Sequence, residues 1–107
     1  MRTAVYGNSN EKQLAEQRWI GRKVRNYKIE EVLGTGKMGT ALRARDSQSN
    51  KQVVLKAFAR SVERNDKAYK KEIGSLEKLE NGHGVLIPNE EFEYEYITFI
   101  VGSIQIL

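Results

Sequence analysis

Three closely spaced glycines and a downstream lysine are the residues of this sequence that could bind a phosphate. Gly34, Gly36 and Gly39 have the spacing G-x-G-x-x-G, and Lys56 follows in the apolar run at residues 53–56. Glycine lets a backbone approach a phosphate closely, because no Cβ is in the way and positive φ is allowed. The pattern indicates a phosphate-binding loop, although three glycines near a turn are by themselves also typical of a mobile hairpin.

The residues after the glycines distinguish between the known types of phosphate loop. Residues 40–45 alternate as a strand does, 46–50 form a turn cluster, and 52–58 predict another strand. A dinucleotide-binding loop would open a helix instead. A Walker loop is excluded because Met38 follows Lys37 and no glycine stands five places before Gly36. A strand, glycine loop, strand, turn and lysine-bearing strand are typical of the start of a protein kinase.

From Tyr27 to about Leu107 the sequence resembles the N-terminal, ATP-binding lobe of a eukaryotic-type protein kinase. Lys56 matches the lysine of the family's V-A-I-K motif, and Glu72 matches the glutamate of its αC helix. The resemblance implies an α+β fold, with a five-stranded antiparallel sheet and one packed αC-type helix. Residues 27–107 would form this lobe, after an N-terminal extension at residues 1–26 that is a short helix or partly disordered.

The resemblance also implies how ATP would be held. The glycine loop would cover the phosphates, and Lys56 would contact the α- and β-phosphates while Glu72 holds it in place, which makes these two the expected catalytic residues. The implied nucleotide-binding residues are Leu33, Gly34, Thr35, Gly36, Lys37, Met38, Gly39, Ala41, Val54 and Lys56. Of these, Leu33, Ala41 and Val54 would enclose the adenine. The resemblance implies no metal ligand here, since Mg²⁺ would bind only with the second lobe of a kinase.

Two alignments of the last strand remain open. One makes Val101 the gatekeeper and residues 102–104 the hinge that contacts the adenine edge. The other is based on a similarity to casein-kinase-one-type serine/threonine kinases and places the gatekeeper near Thr98. It requires a deletion between Pro88 and Gly102.

The αC-type helix is predicted to begin at Asn65 or Asp66 and to run to Glu80, where Asn81-Gly82 would end it. Apolar residues at spacings of three and four mark its buried face: Tyr69, Ile73, Leu76 and Leu79. Glu72 falls within this arc and therefore needs a partner, for which Lys56 is the natural candidate. Further predicted elements are a helix at 11–19 capped by Asn10, an edge strand at 85–87 that tolerates Pro88, and a strand at 96–101.

Composition narrows the class of protein further. The chain has 107 residues, 39% of them hydrophobic, a net charge of +4 and no cysteine. Disulfides and thiolate metal sites are therefore excluded, and the single histidine, His83, builds no metal site alone. No run of 18 apolar residues is present, so no membrane partner is expected and a cytoplasmic or nuclear location is predicted.

The aspartates limit the expected activity. Asp46 lies in a turn and Asp66 at a helix start, and neither is in an H-R-D or D-F-G context. The chain alone should therefore hold ATP without transferring phosphate, and a protein substrate is expected only in the full-length context. Two alternatives remain: an inactive, pseudokinase-like module that binds nucleotide or a partner, and a nucleic-acid-binding domain that uses the basic residues at 18–28. Acidic Glu30 and Glu31 follow directly and disfavour the second.

Overall fold

A computed structural model describes residues 8–36, 39–59, 67, 70, 76–79 and 82–106. Within these ranges one helix and seven strands have defined bounds, and the first strand has only two residues. In chain order the elements are α1 (Asn8–Trp19), β1 (Lys23–Val24), β2 (Tyr27–Thr35), β3 (Gly39–Asp46), β4 (Gln52–Phe58), β5 (Leu76–Leu79), β6 (Gly82–Tyr94) and β7 (Ile97–Ile106). The described part of the chain is therefore an α+β fold, as expected. No helix within it is long and apolar enough to cross a bilayer.

All the strands belong to one antiparallel sheet, with the order β1-β2-β3-β4-β7-β6-β5. Most neighbours in the sheet are also neighbours in the chain, because each pair is a hairpin joined by a short connection. The exception is the pairing of β4 with β7, which joins two sets of hairpins. Lys56 therefore lies on a central strand.

The two faces of the sheet have separate apolar clusters. Residues directly opposite each other in an antiparallel pair point to the same face. The helix face, against which Trp19 of α1 packs, carries Leu42, Leu55, Ala57, Phe99 and Val101. The lysine face carries Ala41, Val54, Lys56, Phe58 and Ile100. Both faces of the central strands are buried, since Leu55 and Ile100 are each 0% exposed.

A row of aromatic rings shows that the sheet curls around its helix face. The Trp19 ring meets Phe99 edge-on at 5.8 Å, Phe99 stacks on Phe92 at 5.2 Å, and Phe92 stacks on Tyr27 at 5.9 Å. The Tyr27 hydroxyl donates a 3.0 Å hydrogen bond to Glu90. Burial, together with this bond, raises the pKa of Tyr27 above its usual value of 10.0. Because β2 and β6 are separated by three strands in the sheet, these contacts require strong curvature.

The expected count of five strands is wrong, and the predicted helix does not continue to Glu80. Residues 76–79 form strand β5, which pairs with the start of β6. In this pairing Leu79 lies opposite Gly82, and Leu76 lies opposite Val85. The dipeptide Asn81-Gly82 was interpreted as a helix stop, but Asn-Gly between two runs is also a strong hairpin signal. Of the residues predicted to begin this helix, Lys67 and Lys70 are helical. Residues 68, 69 and 71–75 lie outside the described ranges.

Strand β6 is much longer than the predicted strand at 85–87, and only part of it is an edge. Residues 82–85 are paired on both sides, by β5 and by β7. Pro88 lies beyond the β5 pairing and next to a bulge between Pro88 and Glu90, and edges and bulges are the places where a sheet tolerates proline. His83 is an exposed residue of this strand.

Candidate functional site

The glycine-rich segment is a tight hairpin between β2 and β3. Gly34 pairs with Ala41 and Thr35 with Thr40. Gly36 and Gly39 then exchange two backbone hydrogen bonds, of 2.9 Å and 3.3 Å, which close the hairpin. Lys37 and Met38, predicted to contact phosphate from its tip, lie outside the described residues. The backbone thus has the strand–loop–strand form that the glycine pattern predicted.

The last glycines of the pattern have different structural roles. Gly39 has φ +155°, and a Cβ there would lie 2.0 Å from the carbonyl oxygen of Ala57 on β4. Gly36 has no atom within 4 Å of an added Cβ. Gly39 is therefore required for the hairpin to pack on β4, whereas Gly36 leaves open space that a ligand could occupy.

Lys56 lies beside this hairpin. It pairs with Ala41 of β3 on one side and with Ile100 of β7 on the other. Its side chain is 5% exposed, which is rare for a lysine and requires compensation for the lost hydration. Gly39 of the hairpin pairs with Phe58, which lies two residues after Lys56 on β4. The buried side chain of Lys56 thus belongs to a strand residue next to the glycine hairpin.

The residues expected to enclose a base lie in the same region. Val54 is on the lysine face, two positions before Lys56, and pairs with Arg43 and Gly102. Ala41 is 3% exposed on that face. Leu33 is the additional residue of a β-bulge between the pairs Val32–Leu42 and Gly34–Ala41, and it is half-buried. Bulges redirect side chains and are frequent next to active sites.

Glu72, the proposed partner of Lys56, lies outside the described residues, so the Lys56–Glu72 pair stays a prediction. Lys56 does have an interaction in the structure.

Val101 does not lie where a gatekeeper would. It pairs with Leu55 and is buried on the helix face, opposite to the face of Lys56. Residues 102–104 are not a hinge after the last strand, because β7 continues to Ile106. Thr98, near which the other alignment places the gatekeeper, is on the lysine face and is 7% exposed. That alignment also required a deletion, whereas β6 and β7 pair across this region with one bulge.

Gly102 is enclosed on the lysine face by backbone. A Cβ at this position would lie 2.0 Å from the carbonyl oxygen of Ile87 and 3.1 Å from Cα of Pro88. The bulge of β6 thus brings its main chain against β7 directly across from Val54.

Two ion pairs on the lysine face were not predicted. Arg43 Nη2 lies 2.6 Å from Glu31 Oε1, and Arg45 Nε donates to Glu30 Oε2 at 3.1 Å. Each pair joins β2 to β3 on the half of the hairpin away from the glycines. The signal was available, since Glu30-Glu31 and Arg43-x-Arg45 lie on adjacent strands, but the bulges hid the register.

The basic stretch at 18–28 is partly used for packing. The guanidinium groups of Arg18 and Arg22 lie over the Trp19 ring at 4.8 Å and 5.2 Å, and that of Arg25 lies over Phe92 at 4.5 Å. Arg22 also pairs with Glu95. Trp19 is 3% exposed, so this residue of the stretch packs on the sheet.

Asp46 stabilises the turn between β3 and β4. Its carboxylate accepts hydrogen bonds from Gln48 N–H at 2.9 Å and from the Asn26 amide at 2.8 Å. These bonds, that of Gln48 first, lower the pKa of Asp46 below 3.8. In the described ranges, no cluster of three or more His, Cys, Asp or Glu side chains could hold a metal ion.

Comparisons with known protein families, with curated proteins and with solved structures found no match.

Proposed function

We propose that the chain is the ATP-binding lobe of a protein kinase of the serine/threonine type. It would supply the phosphate-binding half of a site that transfers the γ-phosphoryl group of ATP to a protein. One observation carries the proposal: Lys56, 5% exposed, lies beside the glycine hairpin and shares its face with Ala41 and Val54. The protein substrate, a kinase C-terminal lobe that would bring Mg²⁺, and a cytoplasmic location belong to the same proposal.

The proposed mechanism follows from the charge of the triphosphate. Phosphoryl transfer is catalysed mainly by positioning and by neutralising charge. The Gly36 end of the hairpin offers open space for the phosphates. The Lys56 ammonium would neutralise the α- and β-phosphates in a low-dielectric surrounding, where it acts more strongly than in water. The catalytic base and the metal-binding aspartate would come from the other lobe.

Nucleotide binding by Lys56 variants tests the proposal. Titration with a fluorescent ATP analogue should give saturable binding to the parent chain. Lys56→Met should weaken binding roughly 10- to 100-fold, because a hydrogen bond to a charged group contributes about 1.5–3 kcal/mol. Lys51→Met is the matched control, since Lys51 is exposed between β3 and β4 and should leave binding unchanged. Equal binding by the parent and Lys56→Met would refute the role of Lys56.

Because Lys56 is buried, its variant requires a check of folding by circular dichroism. If Lys56→Met does not fold, Gly36→Ala is the second probe, since an added methyl group meets no protein atom within 4 Å. It should keep the stability of the parent and weaken nucleotide binding by crowding the phosphates. Unchanged nucleotide binding by Gly36→Ala would then count against the proposed site.

A further inference from the structure

Helix α1 is attached to the sheet through few apolar side chains. Of the residues of α1 whose exposure is described, 10–19, only Trp19 is buried, and Ala15 packs half-buried against the same cluster. Leu14, the other large apolar residue of the helix, is 58% exposed. The remaining side chains of α1 are polar, and Lys12 among them has an interaction of its own. Trp19 is therefore the main apolar anchor of the helix.

This anchor lies at the end of α1, just before the chain becomes tied to the sheet by its backbone. Trp19 meets Phe99 of β7 edge-on at 5.8 Å, and the guanidinium group of Arg22 lies over its ring. Gly21 N–H donates to the Ile29 carbonyl at 2.8 Å, and Ile29 N–H donates to the Arg22 carbonyl at 3.0 Å. From Gly21 onward, main-chain hydrogen bonds thus join this segment to β2.

Gly21 forms the boundary between the helix and the part of the chain that is bonded to β2. Its φ is +85°, in the left-handed region that glycine adopts readily, and an added Cβ would meet no atom within 4 Å. The helix therefore joins the sheet at a residue with wide conformational freedom and no packing around its Cβ position.

A helix of this length depends on its contacts with the sheet. α1 has 12 residues, and such short helices are marginal in water on their own. Without the Trp19 anchor, α1 should therefore unwind as a whole. Elements with few buried apolar contacts open at a lower free energy than the core does. We propose that α1 is a detachable cover, which leaves the sheet and unwinds as one unit about Gly21, uncovering Phe99 on the helix face while the strands stay paired.

Native-state hydrogen exchange of the full chain, measured for each amide by NMR, tests the proposal. After correction for intrinsic rates, the amides of residues 12–19 should share one opening equilibrium. They should exchange faster than the slowest amides of β3 and β4, by about tenfold or more. Their exchange should also depend less on added urea, because detachment of α1 exposes less surface than global unfolding does.

Ile100→Val separates detachment of α1 from global unfolding. Ile100 is 0% exposed and belongs to the apolar cluster of the lysine face, so it stays packed when α1 leaves the helix face. The substitution should accelerate exchange of the slowest sheet amides roughly two- to tenfold and leave that of the α1 amides within about twofold of the parent.

Trp19→Phe tests the anchor itself. A smaller ring weakens the edge contact with Phe99, so exchange of the α1 amides should become about fivefold faster. Leu14→Ala is the matched control on the same helix, because Leu14 is exposed, and it should change this exchange by less than about twofold. Parent-like exchange in Trp19→Phe would refute the anchoring role of Trp19 and with it the proposed detachment.

Two further outcomes would overturn the proposal. Equal acceleration of the α1 and sheet amides by Ile100→Val would show that α1 opens only through global unfolding. Exchange that becomes steadily faster from Trp19 back to residue 12, with no shared opening equilibrium, would show fraying of the helix end instead of detachment. No nucleotide is present in these experiments, so the proposed nucleotide binding is tested separately.

Discussion

Gly36 and Gly39 close the same hairpin, yet the space around them differs. The backbone of β4 passes directly under Gly39, while Gly36 has no neighbour within reach of a methyl group. A motif of identical residues thus combines a packing requirement at Gly39 with open space at Gly36. The sequence pattern identified the glycines, but only the approach of Ala57 distinguishes these two roles.

Gly39→Ala is therefore expected to destabilise the fold, while Gly36→Ala is not. The methyl group at Gly39 would overlap the Ala57 carbonyl oxygen, and the main chain must move to relieve this contact. We expect a loss of about 2–4 kcal/mol in the free energy of unfolding, as for overpacking combined with backbone strain. Urea denaturation of both variants measures this, and similar losses for the two would contradict the assigned roles.

Tyr27 gives the stability a dependence on alkaline pH. Its pKa in the folded state is raised, mainly by burial and then by Glu90, from the unfolded value of 10.0. Its contribution is therefore complete below pH 10 and is lost as pH rises through the folded-state pKa. Tyr27→Phe should be less stable near neutrality but should lose less stability above pH 10. Urea midpoints measured across this range test this, and parallel pH curves would exclude Tyr27 as the cause.

The turn between β6 and β7 is a strained element. Glu95 and Tyr96 have φ of +50° and +66°, in the left-handed region that L-residues disfavour. A two-residue hairpin with such angles favours Asn-Gly, so Glu-Tyr is a costly choice. Arg22 offsets part of this cost through its ion pair with Glu95.

Tyr96→Gly should therefore stabilise the hairpin by about 1 kcal/mol, because Tyr96 is 87% exposed and loses few contacts. Asn50→Gly is the matched control. Asn50 has a similar φ of +61°, but asparagine tolerates this region, so its gain should be smaller. Thermal unfolding measures both, and a destabilised Tyr96→Gly would show that the tyrosine ring contributes more than its exposure indicates.

At the scale of elements, the sequence predicted β2, β3 and β4 because their alternation and turns are local signals. The shared face of Ala41 and Lys56 follows from the same hairpin logic, so part of the candidate site was predictable. Strand β5 was not, since Leu76 and Leu79 fit a helical spacing as well as a strand, and pairing with β6 decides between them. The pairing of Glu31 with Arg43 depends on a β-bulge that no periodicity reveals.

At the scale of the whole molecule, α1 completes the core. Trp19 is buried on the helix face with Val24, Phe99 and the strands around them. Trp19 and Val24 come from the predicted N-terminal extension, and they share one core with the sheet. The sequence favoured packing of Trp19, but the curl of the sheet that receives it depends on contacts between distant strands.

Trp19→Ala should cost about 3–5 kcal/mol, a large fraction of the 5–15 kcal/mol typical of a domain. Leu14→Ala on the same helix is the control, because Leu14 is 58% exposed and should change stability by less than about 0.5 kcal/mol. Guanidinium unfolding gives both values. If the two substitutions cost the same, α1 does not contribute to the core through Trp19.

The closure of position 102 by the Ile87 carbonyl has an evolutionary consequence. Resistance to a competitive inhibitor can arise when a residue beside a pocket acquires a larger side chain. At Gly102 a larger side chain would overlap the Ile87 carbonyl oxygen and destabilise the fold, so resistance could not arise by this substitution. If the proposed nucleotide site is correct, escape would have to occur across the strand pair at half-buried Val54, whose side chain lies on the lysine face.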